Sequence, residues 1–164
     1  MGRAEFIAIN KRYTNKQALP YVIRYAVAKK DKNKNKIGKA RFIGGIGVDY
    51  MDTEKAIKQI QTIKKYYGKT DKRQLYHFLL TFAEDIDDAQ QVYLIGNIIV
   101  NKFFSDYQVI FAVHEDSKSD HLHIHFVINS VCFRTGLKWH MSAKEFNKFK
   151  KAIEKETEFL LGEV

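Results

Sequence analysis

The sequence is poor in residues that staple or divide a chain. It holds one cysteine, Cys132, so no internal disulfide framework can form. A lone thiol fits a reducing compartment, where it serves as a small buried apolar residue. It holds one proline, Pro20, and no Pro/Gly/Ser-rich linker, repeat or low-complexity block. No apolar run reaches the roughly 20 residues that a membrane span needs. The opening MGRAEFIAIN lacks an apolar signal region with a small-residue cleavage site and reads as a strand. These absences predict one domain over residues 1–164, in the cytoplasm, without a membrane segment.

Negative charge is also short. Lys and Arg number 28 against 19 Asp and Glu, a formal net charge of +9. That surplus suits a polyanionic partner, because each neutralised phosphate releases counterions. Charge alone does not identify nucleic acid, since many basic proteins use it only for solubility. The run AKKDKNKNKIGKAR, Ala28 to Arg41, has no apolar periodicity and reads as a loop. Its place after the first helix favours a phosphate-gripping arm.

Periodicity outlines the elements. Strands are predicted over Glu5–Ile9, Arg41–Val48, Leu75–Phe82, Val109–Val113 and His121–Val131. Gly44, Gly45 and Gly47 in the second suggest close backbone approach or a bulge. Helices are predicted over Lys16–Lys29, Glu54–Tyr67 and Asp88–Lys102, with Pro20 tolerated in the first turn of the first. Ser142 to Glu145 forms a capping box that opens a last helix. Cys132 to His140 reads as a hairpin turning at Thr135-Gly136. The order β-α-β-α-β-α-β-β-β-α indicates an α+β sandwich whose last strands are antiparallel neighbours.

Four of the six histidines fall between His114 and His125. Side chains alternate along a strand, so His121, His123 and His125 share one face. His123 and His125 stand about 7 Å apart along the strand and can converge on one divalent ion. His121 is a further step away, which makes it an awkward third ligand. The third ligand is expected from the neighbouring strand, where His114 is well placed across the acidic turn EDSKSD. Glu115, Asp116 or Asp120 can support the ligands. Such pairs also occur in cupin-type sites, but those lie on all-β barrels, and the predicted helices argue against one.

AVHEDSKSDHLHIHFVIN resembles the third signature motif of conjugative relaxases of the HUH endonuclease superfamily, especially the MobP-like relaxase/mobilisation nuclease domain. QALPYVIRYAVAKKD resembles the first motif, in which a helix carries the nucleophilic tyrosine; the matching residue is Tyr25. LYHFLLTF resembles the second motif, commonly YHxxxSF, with Thr81 where Ser is usual. The resemblance runs from about Ala4 to the last helix. It implies a ferredoxin-like sandwich with a central, mainly antiparallel sheet flanked by helices. It implies nicking of single-stranded DNA at a hairpin-bearing origin of transfer, through a 5′-phosphotyrosine and a divalent ion, Mn²⁺ or Mg²⁺, on His114, His123 and His125. An accessory DNA-binding or coupling protein is an implied partner.

His121 or Asp120 is the candidate for taking the tyrosine proton, and Thr81 joins the catalytic set. Tyr13, Tyr21 and Tyr50 compete with Tyr25, and only the resemblance separates them. Candidate DNA contacts are Arg24, Lys29, Lys30, Lys39 and Arg41, with Arg134, Lys138 and Trp139 on the predicted hairpin. Trp139 is a candidate for stacking on a base. Competing functions are a rolling-circle initiator, an HUH transposase, a non-catalytic DNA-binding accessory protein and a small-molecule metal hydrolase.

Overall fold

A computed structural model describes residues 2–29, 39–115 and 121–162. Five strands and four helices follow in the order β1 (Ala4–Ala8), α1 (Ala18–Val27), β2 (Ala40–Ile46), α2 (Thr53–Tyr66), β3 (Leu75–Phe82), α3 (Ala89–Phe103), β4 (Val109–Glu115), β5 (Leu122–Asn129) and α4 (Ala143–Leu161). The strands form one sheet in the order β1-β3-β5-β4-β2, antiparallel at every pairing. This is the expected α+β architecture.

The helix boundaries follow from local chemistry. Asp52 caps α2 by accepting from Lys55 N–H, and Asp88 caps α3 by accepting from Gln90 and Gln91 N–H. Each satisfies donors that the first helical turn leaves unpaired. The predicted box at α4 is complete, with Glu145 N–H donating to Ser142 and Ser142 N–H donating to Glu145.

The sheet has a separate core on each face. Phe6, Phe78, Phe111 and Phe126 face α3 and α4, together with Ile95, Ile99 and Ile153. On the other face α1 and α2 pack Leu19, Ile23 and Ile60 against Ile110, Val127 and Leu75. On that second face, Ile7, Leu79 and Thr81 remain partly exposed beyond the helices.

One expected strand is absent among the described residues. The segment from Cys132 to His140 makes a single bridge, Val131 to Lys138, instead of a ladder. Its backbone groups close a tight turn: Gly136 N–H donates to Cys132 O, and Cys132 N–H to Leu137 O. Gly136 sits at φ +75°, a conformation that favours glycine. A loop this tight leaves too few residues to pair as strands.

Gly44 of β2 and Gly96 of α3 both meet the ring of Phe111. A Cβ at Gly96 would stand 2.7 Å from Phe111 Cε2, and Phe111 is fully buried. The close approach anticipated from the glycines of β2 is therefore a ring slot between helix and sheet. Gly96→Ala gains up to about 1 kcal/mol of helix propensity. Against that stands an overpacking cost of about 1–3 kcal/mol. A lower urea midpoint is expected, and an unchanged or higher midpoint would show that the slot has slack.

Candidate metal centre

Three histidines meet on the α1/α2 face of the two central strands. His114 of β4 pairs directly with His123 of β5, and His125 lies two residues along the same strand. Ring centroids are 4.1 Å apart for His114–His125, 5.1 Å for His123–His125 and 5.4 Å for His114–His123. One ring nitrogen from each lies within 4.8 Å of the other two. Tetrahedral metal–imidazole bonds of about 2.1 Å put ligand nitrogens about 3.4 Å apart. The rings therefore need to close by up to about 1.4 Å to share one ion. His114 and His125 are buried and His123 is half-buried, so the cluster opens to solvent on one side.

Their second nitrogens are engaged in ways that fix the rings. The Ala26 carbonyl can only accept, so His114 Nε2–H donates to it at 2.7 Å and the lone pair lies on Nδ1. Likewise His123 Nδ1–H donates to the His121 carbonyl at 3.2 Å. His125 Nδ1 lies 2.8 Å from His77 Nε2. Hydrogen-bonded second nitrogens of this kind accompany histidine metal ligands.

Burial keeps His125 and its partner His77 neutral. His125 is held down to about 2, chiefly by burial and then by His114, His77 and His123. His77 is held down to about 4, again chiefly by burial, then by His114 and Lys11. Neutral imidazole is the ligand form, and three converging imidazoles are a donor set that fits a divalent transition-type ion.

Tyr25 stands over this cluster. Its ring is 6.0 Å from that of His125, edge-on, and 6.3 Å from that of His114. Tyr25 is 53% exposed, so its hydroxyl can be reached by a large ligand. Of Tyr13, Tyr21, Tyr25 and Tyr50, Tyr25 alone makes ring contacts with the triad among the described residues. The adjacent Ala26 carbonyl is the acceptor of His114, which ties this turn of α1 to the cluster. Thr81 pairs with His123 across β3 and β5, on the same face.

Other anticipated residues lie elsewhere. His121 is outside the triad, and its Nδ1–H donates to the Phe82 carbonyl at 2.9 Å. Asp120 and Lys30 lie outside the described residues. Trp139, considered for base stacking, is instead a core residue at 8% exposure, packed on Phe78, Phe104 and Phe149. Lys138 is spent on the backbone carbonyls of Asp71 and Arg73. Arg24 forms a two-pronged pair with Glu54, Arg41 pairs with Glu115, and Arg134 pairs with Asp106. Lys29 is exposed and Lys39 half-buried.

His77 is a partner of the cluster that the sequence does not single out. It precedes Leu79 and Thr81 at alternating positions of β3, so strand periodicity already places it on their face. What periodicity could not supply is that β3 lies beside β5.

A central antiparallel sheet thus carries a histidine triad under a helix-borne tyrosine. The family described as "Relaxase: MobA/VirD2-like, nuclease domain" matches residues 21–158, and this chain belongs to that family. Similar curated proteins include three called "Protein rlx" from Staphylococcus aureus. They are 30–31% identical over 62–65% of this chain, which spans 28–32% of their length. A solved structure described as the molecular basis of vancomycin resistance transfer in Staphylococcus aureus shares the fold. It has a TM-score of 0.68 at 9% identity, covering 99% of this chain and 94% of that one.

The neutral histidines make the metal-free fold sensitive to acid. Both His77 and His125 have folded pKa values below the ordinary 6.5. Between pH 6.5 and about 4 the unfolded chain therefore binds more protons than the folded one. Stability should be full above pH 6.5 and fall as pH drops, by up to about 1.4 kcal/mol per pH unit for each histidine. Urea melts in EDTA from pH 8 to 4.5 test this; a flat profile would show that burial does not hold these rings neutral.

Proposed function

We propose that this chain nicks one strand of DNA at an origin of transfer and remains joined to the new 5′ end through Tyr25. The observation that carries this reading is the Tyr25 ring at about 6 Å from two members of the histidine triad. Family membership supports the reaction class.

In the nicking step the Tyr25 Oη attacks the scissile phosphorus. A phosphorus–Oη bond forms and the bond to the 3′ oxygen breaks. The phenol proton leaves, and the departing 3′ oxygen takes up a proton, so charge and atoms balance. The phosphotyrosine keeps a phosphodiester's energy, which lets a 3′-hydroxyl reverse the step without ATP. An ordinary phenol has a pKa near 10, so attack at neutral pH needs help with the proton and with the charge on phosphate. A divalent ion held by His114, His123 and His125 would supply Lewis-acid neutralisation of the non-bridging oxygens. Three imidazoles suit Mn²⁺ better than Mg²⁺, which prefers oxygen ligands.

The chain's own residues orient this chemistry. The His114–Ala26 bond sets the height of α1 over the triad, and hence that of Tyr25. Thr81 opposite His123 offers a hydroxyl at the rim of the cluster. His121 remains a candidate proton acceptor, because its ring bonds Phe82 O through Nδ1 and its Nε2 carries the lone pair. The DNA partner is single-stranded, beside a hairpin at the origin of transfer, with an accessory DNA-binding or coupling protein as a further partner. The formal charge of +9 supports a polyanionic substrate. Exposed Lys29 is the candidate phosphate contact closest in sequence to Tyr25 that forms no ion pair with a described residue.

Single-stranded oligonucleotides from the origin region, incubated with the protein and Mn²⁺, should give a 5′-linked protein–DNA adduct on a denaturing gel. Tyr25→Phe should bind the same DNA and give no adduct. An adduct that persists in Tyr25→Phe would assign the nucleophile to another residue, with Tyr21→Phe the next variant.

A further inference from the structure

A chain of hydrogen-bonding groups runs from the triad to the segment before α1. His125 Nδ1 meets His77 Nε2 at 2.8 Å, and His77 Nδ1 meets the Tyr13 hydroxyl at 3.1 Å. His77 is buried, and its backbone is pinned as well, with Ile9 N–H donating to His77 O at 2.9 Å. Tyr13 has φ +50°, in the left-handed region that non-glycine residues rarely adopt. Gln74 N–H donates to Tyr13 O at 2.9 Å and holds it there. Backbone in so uncommon a conformation persists where the surroundings dictate it, and here it sets the phenol against His77.

The chain has two internally consistent proton arrangements. In one, Tyr13 donates to His77 Nδ1, His77 Nε2–H donates to His125 Nδ1, and His125 carries its proton on Nε2. That face of His125 then cannot bind a cation. In the other, His125 Nδ1–H donates to His77 Nε2, and His77 Nδ1–H donates to the Tyr13 oxygen. His125 then offers the Nε2 lone pair. Both hydrogen bonds of the relay are kept in either arrangement, because a phenol both donates and accepts.

We propose that His77, held by Tyr13, is a positioning residue that sets the tautomer and ring orientation of His125 for metal binding. This rests on the metal-binding reading of the triad. The partner is unusual in kind: a neutral imidazole backed by a phenol stands where ligand histidines commonly meet a carboxylate or a carbonyl. Its neutrality adds no negative charge beside the ion.

The test compares wild type with His77→Gln, His77→Leu and Tyr13→Phe, each confirmed as folded by far-UV circular dichroism. Mn²⁺ affinity is measured by calorimetry, and the His125 tautomer by imidazole ¹⁵N NMR with and without a diamagnetic ion, Zn²⁺. Wild type is expected to move to the Nδ1–H form of His125 on adding Zn²⁺. His77→Leu should weaken Mn²⁺ binding by about 10–100-fold. His77→Gln keeps an acceptor oxygen near the former Nε2 and should recover most of that loss. Tyr13→Phe should lose a few-fold and raise the share of the other His125 tautomer. A His77→Leu protein with wild-type Mn²⁺ affinity and an unchanged His125 tautomer would overturn the proposal. A wild type that binds neither ion would instead overturn the metal reading beneath it.

Discussion

The pairing of β4 with β5 sets His114 directly across from His123, and the rest of the site hangs on that register. Both strands are central in the sheet, and their residues are buried on both faces except Glu115 and His123. A slip of β5 by one residue would turn its side chains to the opposite face. It would drive His123 and His125 into the phenylalanine core around Phe111, away from His114, and bring Ile124 and Phe126 toward α1. Two apolar cores, one on each side, therefore lock the alignment that the cluster needs. The cost is the burial of polar rings at the centre of a sheet, which is tolerable only when each finds a partner. The carbonyls of Ala26 and His121 and the ring of His77 meet that requirement.

The same logic extends to α1 through three consecutive residues. Arg24 reaches outward to Glu54 of α2, and the Ala26 carbonyl accepts from His114 of β4. Tyr25 lies between these two ties. An exposed ion pair such as Arg24–Glu54 adds at most about 1 kcal/mol to stability. Together with the His114 bond to Ala26 O, it ties this turn of α1 to α2 on one side and to β4 on the other. For the nucleophile proposed above, anchoring of the helix turn that carries it is where positioning lowers a barrier.

Much of this was legible in the sequence, for reasons of period. The alternation His123-Ile124-His125 announces two side chains on one face, and the short connection back to His114 announces the third. The caps at Asp88 and Ser142 mark helix starts because short polar side chains satisfy the first N–H groups. Tyr25 was separable from Tyr21 only by resemblance, since both lie on α1, and the ring contacts to His114 and His125 are what distinguish it in space. His77 escaped because neighbours in the sheet are not neighbours in the chain: the order β1-β3-β5-β4-β2 is what brings β3 beside β5. The basic residues escaped for a similar reason. Arg41 and Arg134 look available in the sequence, yet they meet Glu115 and Asp106, distant acids that only folding brings near. Trp139 carries an aromatic face that a basic context made attractive for DNA, but the phenylalanine cluster behind it claims the ring.

The choice of donors carries a further consequence for the proposed chemistry. Among the described residues the cluster has three imidazoles and no carboxylate. Neutral donors leave a divalent ion its full charge, whereas each carboxylate ligand would cancel one unit of it. Attack of a tyrosinate on a phosphodiester brings together two negative charges, one on each reactant. An ion retaining two positive charges matches that sum, and in a partly desolvated pocket the match is worth far more than in water. A carboxylate-rich site would bind the ion more tightly yet offset the charge that the reaction asks it to neutralise. Burial that keeps His125 and His77 neutral thus serves the ion's charge as well as its coordination. The basic surplus of the chain can then act on the rest of the strand, away from the reacting phosphate.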